Sequence, residues 1–211
     1  LEKKQANKTY LQKMFKLPKE KDIPVLGMVT RITEQKGFNL LMEIADDLLE
    51  QDIQLIIAGT GEKKYENFFK KLAKKYPKKV AAHLEFSTKK AVEIYAGSDM
   101  FLMPSRFEPC GLGQLISMRY GSVPIVHAVG GLVDTVTDYN PKTEKGNGFV
   151  FKKYDSKDFL ISTVRAIETY KHENAWKKLV QIGMKQSHSW EIPAEKYEEL
   201  FHKAIKTKNE K

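Results

Sequence analysis

The stretch "DMFLMPSRFEPCGLGQLISMRYGSVPIVHA" (residues 99–128) decides the fold. "DMFLMP" is an apolar run that reads as a buried strand. "LGQLISMRYG" reads as a helix ended by Gly121, and "VPIVHA" is another short strand. Strands that are apolar throughout and alternate with helices belong to a parallel sheet covered on both faces.

The same alternation continues on either side. Upstream, "PVLGMVT" and "IQLIIAG" read as buried strands, and "KVAAHLEF" reads as a third. Between them lie "GFNLLMEIADDLLEQ", with the 3.6-residue apolar period of one helix, and "EKKYENFFKKLAKKYPKK". In the latter, Tyr65, Phe68, Phe69, Leu72 and Tyr76 recur at helical spacing and lysines fill the outer face. "KKAVEIYAGS" forms a helix ahead of the quoted stretch, and "NKTYLQKMFKL" places Tyr10, Leu11, Met14 and Phe15 on one helical face near the start. Downstream, "GFVF" makes a last strand, followed by three helical stretches. The expectation is an α/β fold, a doubly wound parallel six-stranded sheet, with residues 1–211 forming one Rossmann-like domain.

Composition sets the outer bounds. The chain has 211 residues, 41% of them hydrophobic, so a sizeable core can form. One cysteine excludes a disulfide framework and any multi-cysteine zinc site, which favours a reducing compartment. No apolar run approaches the length of a membrane span and no signal peptide opens the chain, so no membrane partner is expected. The first residue is Leu rather than Met, which reads as a fragment of something longer. The formal charge is +9. Its lysines are spread over helical faces, and no RNA- or DNA-binding signature accompanies them, so no nucleic-acid partner is expected.

In open parallel sheets, ligands bind beyond the carboxyl ends of the strands. Four stretches lie there: "TRITEQKG" (30–37), "GTGE" (59–62), "PSRFEPCGLGQ" (104–114) and "AVGGLVDT" (128–135). Arg31 and Lys36 bring two cations towards a helix N-terminus, where backbone N–H groups already favour an anion; the alternative is a pair of solvated charges. Gly59 and Gly61 either let the backbone approach a ligand closely or form a plain tight turn. "GTGE" is not a dinucleotide fingerprint, because the pattern needs glycine where Lys64 stands, and there is no phosphate-loop motif. Glu108 can accept charge-assisted hydrogen bonds from sugar hydroxyls, or cap a helix while pairing with Arg106. Cys110 reads as a small packing residue rather than a nucleophile: His127 and His83 are candidate activators in principle, but lone histidines in or near strands are more often packed or exposed. Gly130 and Gly131 permit close backbone approach, and Asp134 is expected to cap the following helix. No D-x-D triplet is present to chelate a divalent cation, so no metal site and no cofactor are expected.

Taken in order, "TRITEQKG", "AGTGE", "IYAGSDMFLMPSRFEPCGLGQL", "RYGSVPIVHAVGGLVDTV" and "GNGFVF" resemble the C-terminal half of bacterial glycogen synthase and plastid starch synthase. The resemblance implies half of a GT-B type glycosyltransferase, in which two Rossmann-like domains face a cleft. It implies a retaining enzyme that moves glucose from ADP-glucose, or UDP-glucose, to the non-reducing end of an α-1,4-glucan, with the acceptor domain outside this chain. By resemblance Arg31 and Lys36 neutralise the diphosphate leaving group, and Glu108 holds the donor glucose. Cys110, Gly111, Leu112 and Gly113 line phosphate and sugar, Phe86 packs near the base, and Gly59 and Gly61 lie where the nucleotide approaches. The cytoplasm, or a plastid stroma in a plant, is the implied location. Two departures stand out. Gly113 replaces a Thr found in many relatives, and Ile116 stands where transferases with a second acid carry Glu. A non-catalytic nucleotide-sugar-binding module is the alternative, with a related transferase making sucrose or another glycan as a second; Glu108 counts against the first and Ile116 against the second.

Overall fold

A computed structural model describes residues 2–186 and 189–209. The chain runs α1 (Glu2–Met14), β1 (Val25–Val29), a 3-10 turn (Glu34–Lys36), α2 (Phe38–Glu43), α3 (Ala45–Glu50), β2 (Gln54–Ala58) and α4 (Lys63–Lys75). It continues with β3 (Val80–His83), α5 (Thr88–Gly97), β4 (Met100–Met103), α6 (Gly113–Arg119), β5 (Val123–His127) and α7 (Gly131–Thr135). The last elements are β6 (Phe149–Phe151), α8 (Ser156–Tyr170), α9 (Glu173–Lys185) and α10 (Glu191–Asn209).

All six strands pair in parallel in the order β3-β2-β1-β4-β5-β6. The strand alternation explains why both faces are covered. Leu26 and Met28 of β1, with Leu55 and Ile57 of β2, enter the large core under α2, α3, α4 and α8. Their neighbours Val25, Ile56 and Ala58 enter a second core with Leu11 of α1 and Ile94 of α5. Successive side chains of a strand point to opposite faces, so an unbroken apolar run supplies two cores at once. Burying one such aliphatic side chain contributes about 1.5–3 kcal/mol.

The chain reverses direction across the sheet at β1: it proceeds to β2 on one side and later returns to β4 on the other. That reversal opens a crevice at the carboxyl ends of β1 and β4, where ligands of doubly wound sheets bind. The loops that leave these two strands carry Lys36 and Glu108.

Three expectations need correction. The helix read over residues 37–51 is two short helices, broken at Ile44, whose backbone (φ −96°, ψ 3°) leaves the helical basin. Ile44 and Ala45 stay buried, so the apolar period continues through the break and hides it. The third strand ends at His83, which leaves Leu84 to Phe86 in the following loop. Asp134 lies exposed within α7 and caps no later helix. The next helix, α8, is capped by Asp155, which accepts hydrogen bonds from the amides of Lys157 and Asp158.

Candidate donor site at the ends of β1 and β4

The loop after β1 is pressed against the loop after β4. Gly37 sits at φ +80°, and a Cβ there would lie 2.0 Å from the carbonyl oxygen of Pro104, so glycine is required by both conformation and space. Adjacent contacts stitch the same seam. The amide of Arg106 donates to the Gln35 carbonyl at 2.9 Å, and the Arg106 guanidinium pairs with Glu34 at 2.9 Å.

This seam brings Lys36 onto Glu108. Lys36 Nζ lies 2.5 Å from Glu108 Oε2, with 15% and 9% of the two side chains exposed. Ser105 Oγ donates to the same oxygen at 3.1 Å. The reading of Glu108 as a helix cap paired with Arg106 is therefore wrong. Arg106 is taken by Glu34, and the residue capping α6 is Leu112, with no side-chain bond. Lys36 and Glu108 share with Ser105, Tyr95 and the 111–113 backbone a small cavity of about 110 Å³. That is room for three or four waters. Burial pushes the Tyr95 phenol up to about 12, so it lines this space as a neutral group.

The third wall is the loop after β5. Gly130, at φ +50°, approaches so closely that a Cβ would stand 2.0 Å from the Glu108 carbonyl oxygen. The Gly131 amide donates to the carbonyls of Glu108 and Pro109 at 3.2 Å each. Behind them, fully buried Gln114 donates through Nε2 to the carbonyls of Cys110 and Gly111 and to Thr135 Oγ1, at 3.1–3.2 Å. One amide thus fixes the 110–113 loop against α7. Gln114 Oε1 is buried without a hydrogen-bond partner among the described residues.

The remaining candidates fall in different places. Arg31 is exposed just beyond β1 and has no ion-pair partner among the described residues. Gly59 and Gly61 meet the neighbouring loop: a Cβ on either would lie about 2 Å from the carbonyls of Thr30 and Ile32 respectively. Their compactness serves backbone-to-backbone contact between the loops after β1 and β2. Phe86 is 85% exposed in the loop after β3. Cys110 is exposed, which corrects its reading as a packing residue. Neither histidine reaches it: His127 Nδ1 bonds the Ser105 carbonyl and His83 Nδ1 bonds Lys90 Nζ. A Cβ on Gly113 would press on Met103 Sδ at 3.2 Å and Phe101 at 3.3 Å, so a larger residue there needs those neighbours to shift.

A larger hollow, about 460 Å³, opens at the opposite edge of the sheet and is lined by Lys4, Asp99, Tyr170 and Trp176. Its carboxylate Asp99 is committed to buried Lys8 at 2.9 Å and to the Val25 amide at 2.8 Å. The crevice at the ends of β1 and β4 instead brings together Lys36, Glu108 and the 111–113 backbone at the switch point of the sheet.

Comparison with known proteins gives this geometry a family. Residues 10–181 match the family described as glycosyl transferases group 1. The chain belongs to that family. Among curated relatives of this glycosyltransferase chain, the glycogen synthase of Clostridium novyi (strain NT) is 53% identical over 201 residues, 95% of this chain and 42% of the relative. The glycogen synthase of Thermosipho africanus (strain TCF52B) is 48% identical over 206 residues, covering 97% of this chain and 42% of its own length. The chain thus spans about two-fifths of the length of the relatives it matches. Among solved structures, the catalytic domain of starch synthase IV from Arabidopsis thaliana, bound to ADP and acarbose, superposes with a TM-score of 0.88 at 35% identity. That match covers 96% of this chain and 43% of the other. The Rossmann-like sheet is that of GT-B glycosyltransferases.

Ser105, His127, Gln114 and Gly37 escaped the sequence reading as parts of the site. Gly37 was the most accessible of them, being a glycine directly after a basic residue at a strand end. Ser105 acts through its hydroxyl on Glu108, while His127 and Gln114 donate to carbonyls of the 105–111 loop, contacts that no residue pattern advertises.

Proposed function

We propose that this chain is the donor-binding half of a retaining glucosyltransferase of glycogen or starch synthesis. It would take glucose from ADP-glucose, or UDP-glucose, and the rest of the longer protein would hold the α-1,4-glucan. The observation that carries the reading is the Lys36–Glu108 junction at the switch point of the sheet, backed by the glycine-flanked 111–113 backbone. The 110 Å³ cavity is smaller than the ~300–1,000 Å³ of a complete ligand pocket, as one wall of a two-domain cleft should be.

In this reading the chemistry follows from charge. Departure of the nucleoside diphosphate builds negative charge on its phosphate oxygens, and Lys36 with Arg31 stabilises it where it develops. The Gly111–Gly113 amides meet phosphate oxygens at the start of α6. Glu108 accepts hydrogen bonds from glucose hydroxyls and orients the ring, and it is not assigned a covalent role. The glucan hydroxyl attacks the anomeric carbon on the face that the diphosphate leaves, and its proton passes to the leaving phosphate. No metal or further cofactor enters this scheme, since two side-chain cations supply the positive charge. A cytoplasmic or stromal setting accompanies the proposal.

Thermal unfolding of this chain tests it. Millimolar ADP should raise the midpoint by mass action, equally with chelator present, and more than AMP does. Affinity on the order of 0.1–1 mM corresponds to about 4–5.5 kcal/mol. No ADP-dependent shift, or one that chelator abolishes, overturns the reading.

A further inference from the structure

We propose that Ser105, held through its carbonyl by His127, is a positioning residue that keeps the Glu108 carboxylate aimed into the cleft when Lys36 turns to the donor diphosphate. The inference rests on the donor-site reading above and deepens it.

The two oxygens of Glu108 are treated differently. Oε2 receives both Lys36 Nζ, at 2.5 Å, and Ser105 Oγ, at 3.1 Å. Oε1 carries no hydrogen bond among the described residues, and Glu108 lines the cavity. One oxygen is thus anchored and the other is left for a ligand hydroxyl. The anchor has a weakness: half-buried Lys36 is also a cation assigned to the diphosphate in the proposed function. An incoming diphosphate competes for its ammonium, and a carboxylate held only by Lys36 would then be released to rotate. Ser105 is 2% exposed, and among the described residues its hydroxyl makes no hydrogen bond other than that to Glu108. It is the neutral donor that a diphosphate does not attract away.

Ser105 is itself fixed. A carbonyl can only accept, so the 2.8 Å contact between His127 Nδ1 and the Ser105 oxygen defines His127 as carrying its proton on Nδ1. The ring is 7% exposed, stacked on Phe151 at 5.1 Å and met edge-on by Tyr154 at 5.3 Å. The Glu108 backbone is held from the other side by Gly131. The chain from β5 through His127 and Ser105 to Glu108 is therefore rigid at each link, whereas Lys36 is attached through a flexible four-carbon stem.

The test uses the full-length protein, with kcat, donor KM and the dissociation constant for ADP measured together. Ser105→Ala removes one oxygen and should lower kcat about 10-fold, the scale of one hydrogen bond to a charged group, with ADP affinity within about two-fold of wild type. Ser105→Thr, which restores the hydroxyl, should recover most of the loss. His127→Phe keeps the stacking but removes the N–H and should lower kcat several-fold. Combined with Ser105→Ala it should add little, because both act through one carboxylate. Wild-type kcat in Ser105→Ala overturns the inference. So does a loss in which ADP affinity and the unfolding midpoint fall together with kcat, for that is the signature of a merely structural residue. If wild-type protein itself fails to bind ADP, the donor-site reading falls first.

Discussion

Lys36 Nζ and Glu108 Oε2 stand 2.5 Å apart although 72 residues separate them in the chain. They meet because β1 and β4 are adjacent in the sheet, and because Gly37 lets the first loop lie against Pro104 of the second. The pair stores a cation and an anion in mutual neutralisation; under the proposed function each would turn to a donor that carries a diphosphate at one end and hydroxyls at the other.

The basic residue and the cysteine should separate cleanly. Lys36→Gln removes the charge at the leaving group and leaves Glu108 unpaired, so ADP affinity should fall about 10-fold or more, read by calorimetric titration. Cys110→Ser, at an exposed position, should leave ADP affinity unchanged and stability within about 0.5 kcal/mol. The opposite pattern would reverse the roles assigned to them.

The loop clamp has its own signature. Gln114→Ala removes the amide that ties Cys110 and Gly111 to Thr135, and it leaves two loop carbonyls without that donor. A loss of about 1–3 kcal/mol in unfolding free energy is expected, together with weaker ADP binding. Unchanged ADP affinity alongside lost stability would show that the loop amides do not contact the nucleotide.

Much of the architecture was legible because it is written in apolar runs. Leu55, Ile56 and Ile57 are consecutive and all buried, as a short strand covered on both faces requires. The break at Ile44 was not legible, since a helix turning at a buried residue keeps its periodicity. Site residues with unusual chemistry at strand ends, such as Lys36 and Glu108, announced themselves. Their pairing did not. Arg106 is two residues from Glu108 and was the natural partner by spacing, yet Glu34 claims it across the seam between the loops. The exposure of Cys110 likewise depends on where the 110–113 loop faces, which its neighbours in sequence do not determine.

Far from the crevice, Lys8 and Asp99 form a buried pair at 2.9 Å that ties α1 to the start of β4. Lys8→Met strands the Asp99 carboxylate in the interior. Denaturant unfolding should show a loss of about 3–5 kcal/mol, with ADP binding by the remaining folded protein unchanged. A loss below 1 kcal/mol would mean that water reaches Asp99.

The same edge predicts a pH dependence. Burial lowers the Lys4 ammonium to about 7, while Asp99 opposes the shift and Lys8 adds to it. In the unfolded chain Lys4 keeps its ordinary value, so between about pH 7 and pH 10 the unfolded state binds more protons. Stability should therefore rise with pH through that window, and the term should be flat below it. Comparing wild type with Lys4→Met isolates the contribution: the variant should show a shallower rise between pH 7 and pH 9. Parallel curves would place Lys4 in water.

The central claim is that Glu108 positions the sugar of a nucleotide donor whose diphosphate is held by its neighbours. The most direct measurement is glucosyl transfer by full-length Glu108→Gln, taken with its ADP dissociation constant. The change keeps the size of the side chain and removes its charge. Transfer should fall by roughly 10²-fold or more while ADP binds about as well as to wild type. Turnover within a few-fold of wild type would contradict the account and remove Glu108 from the site.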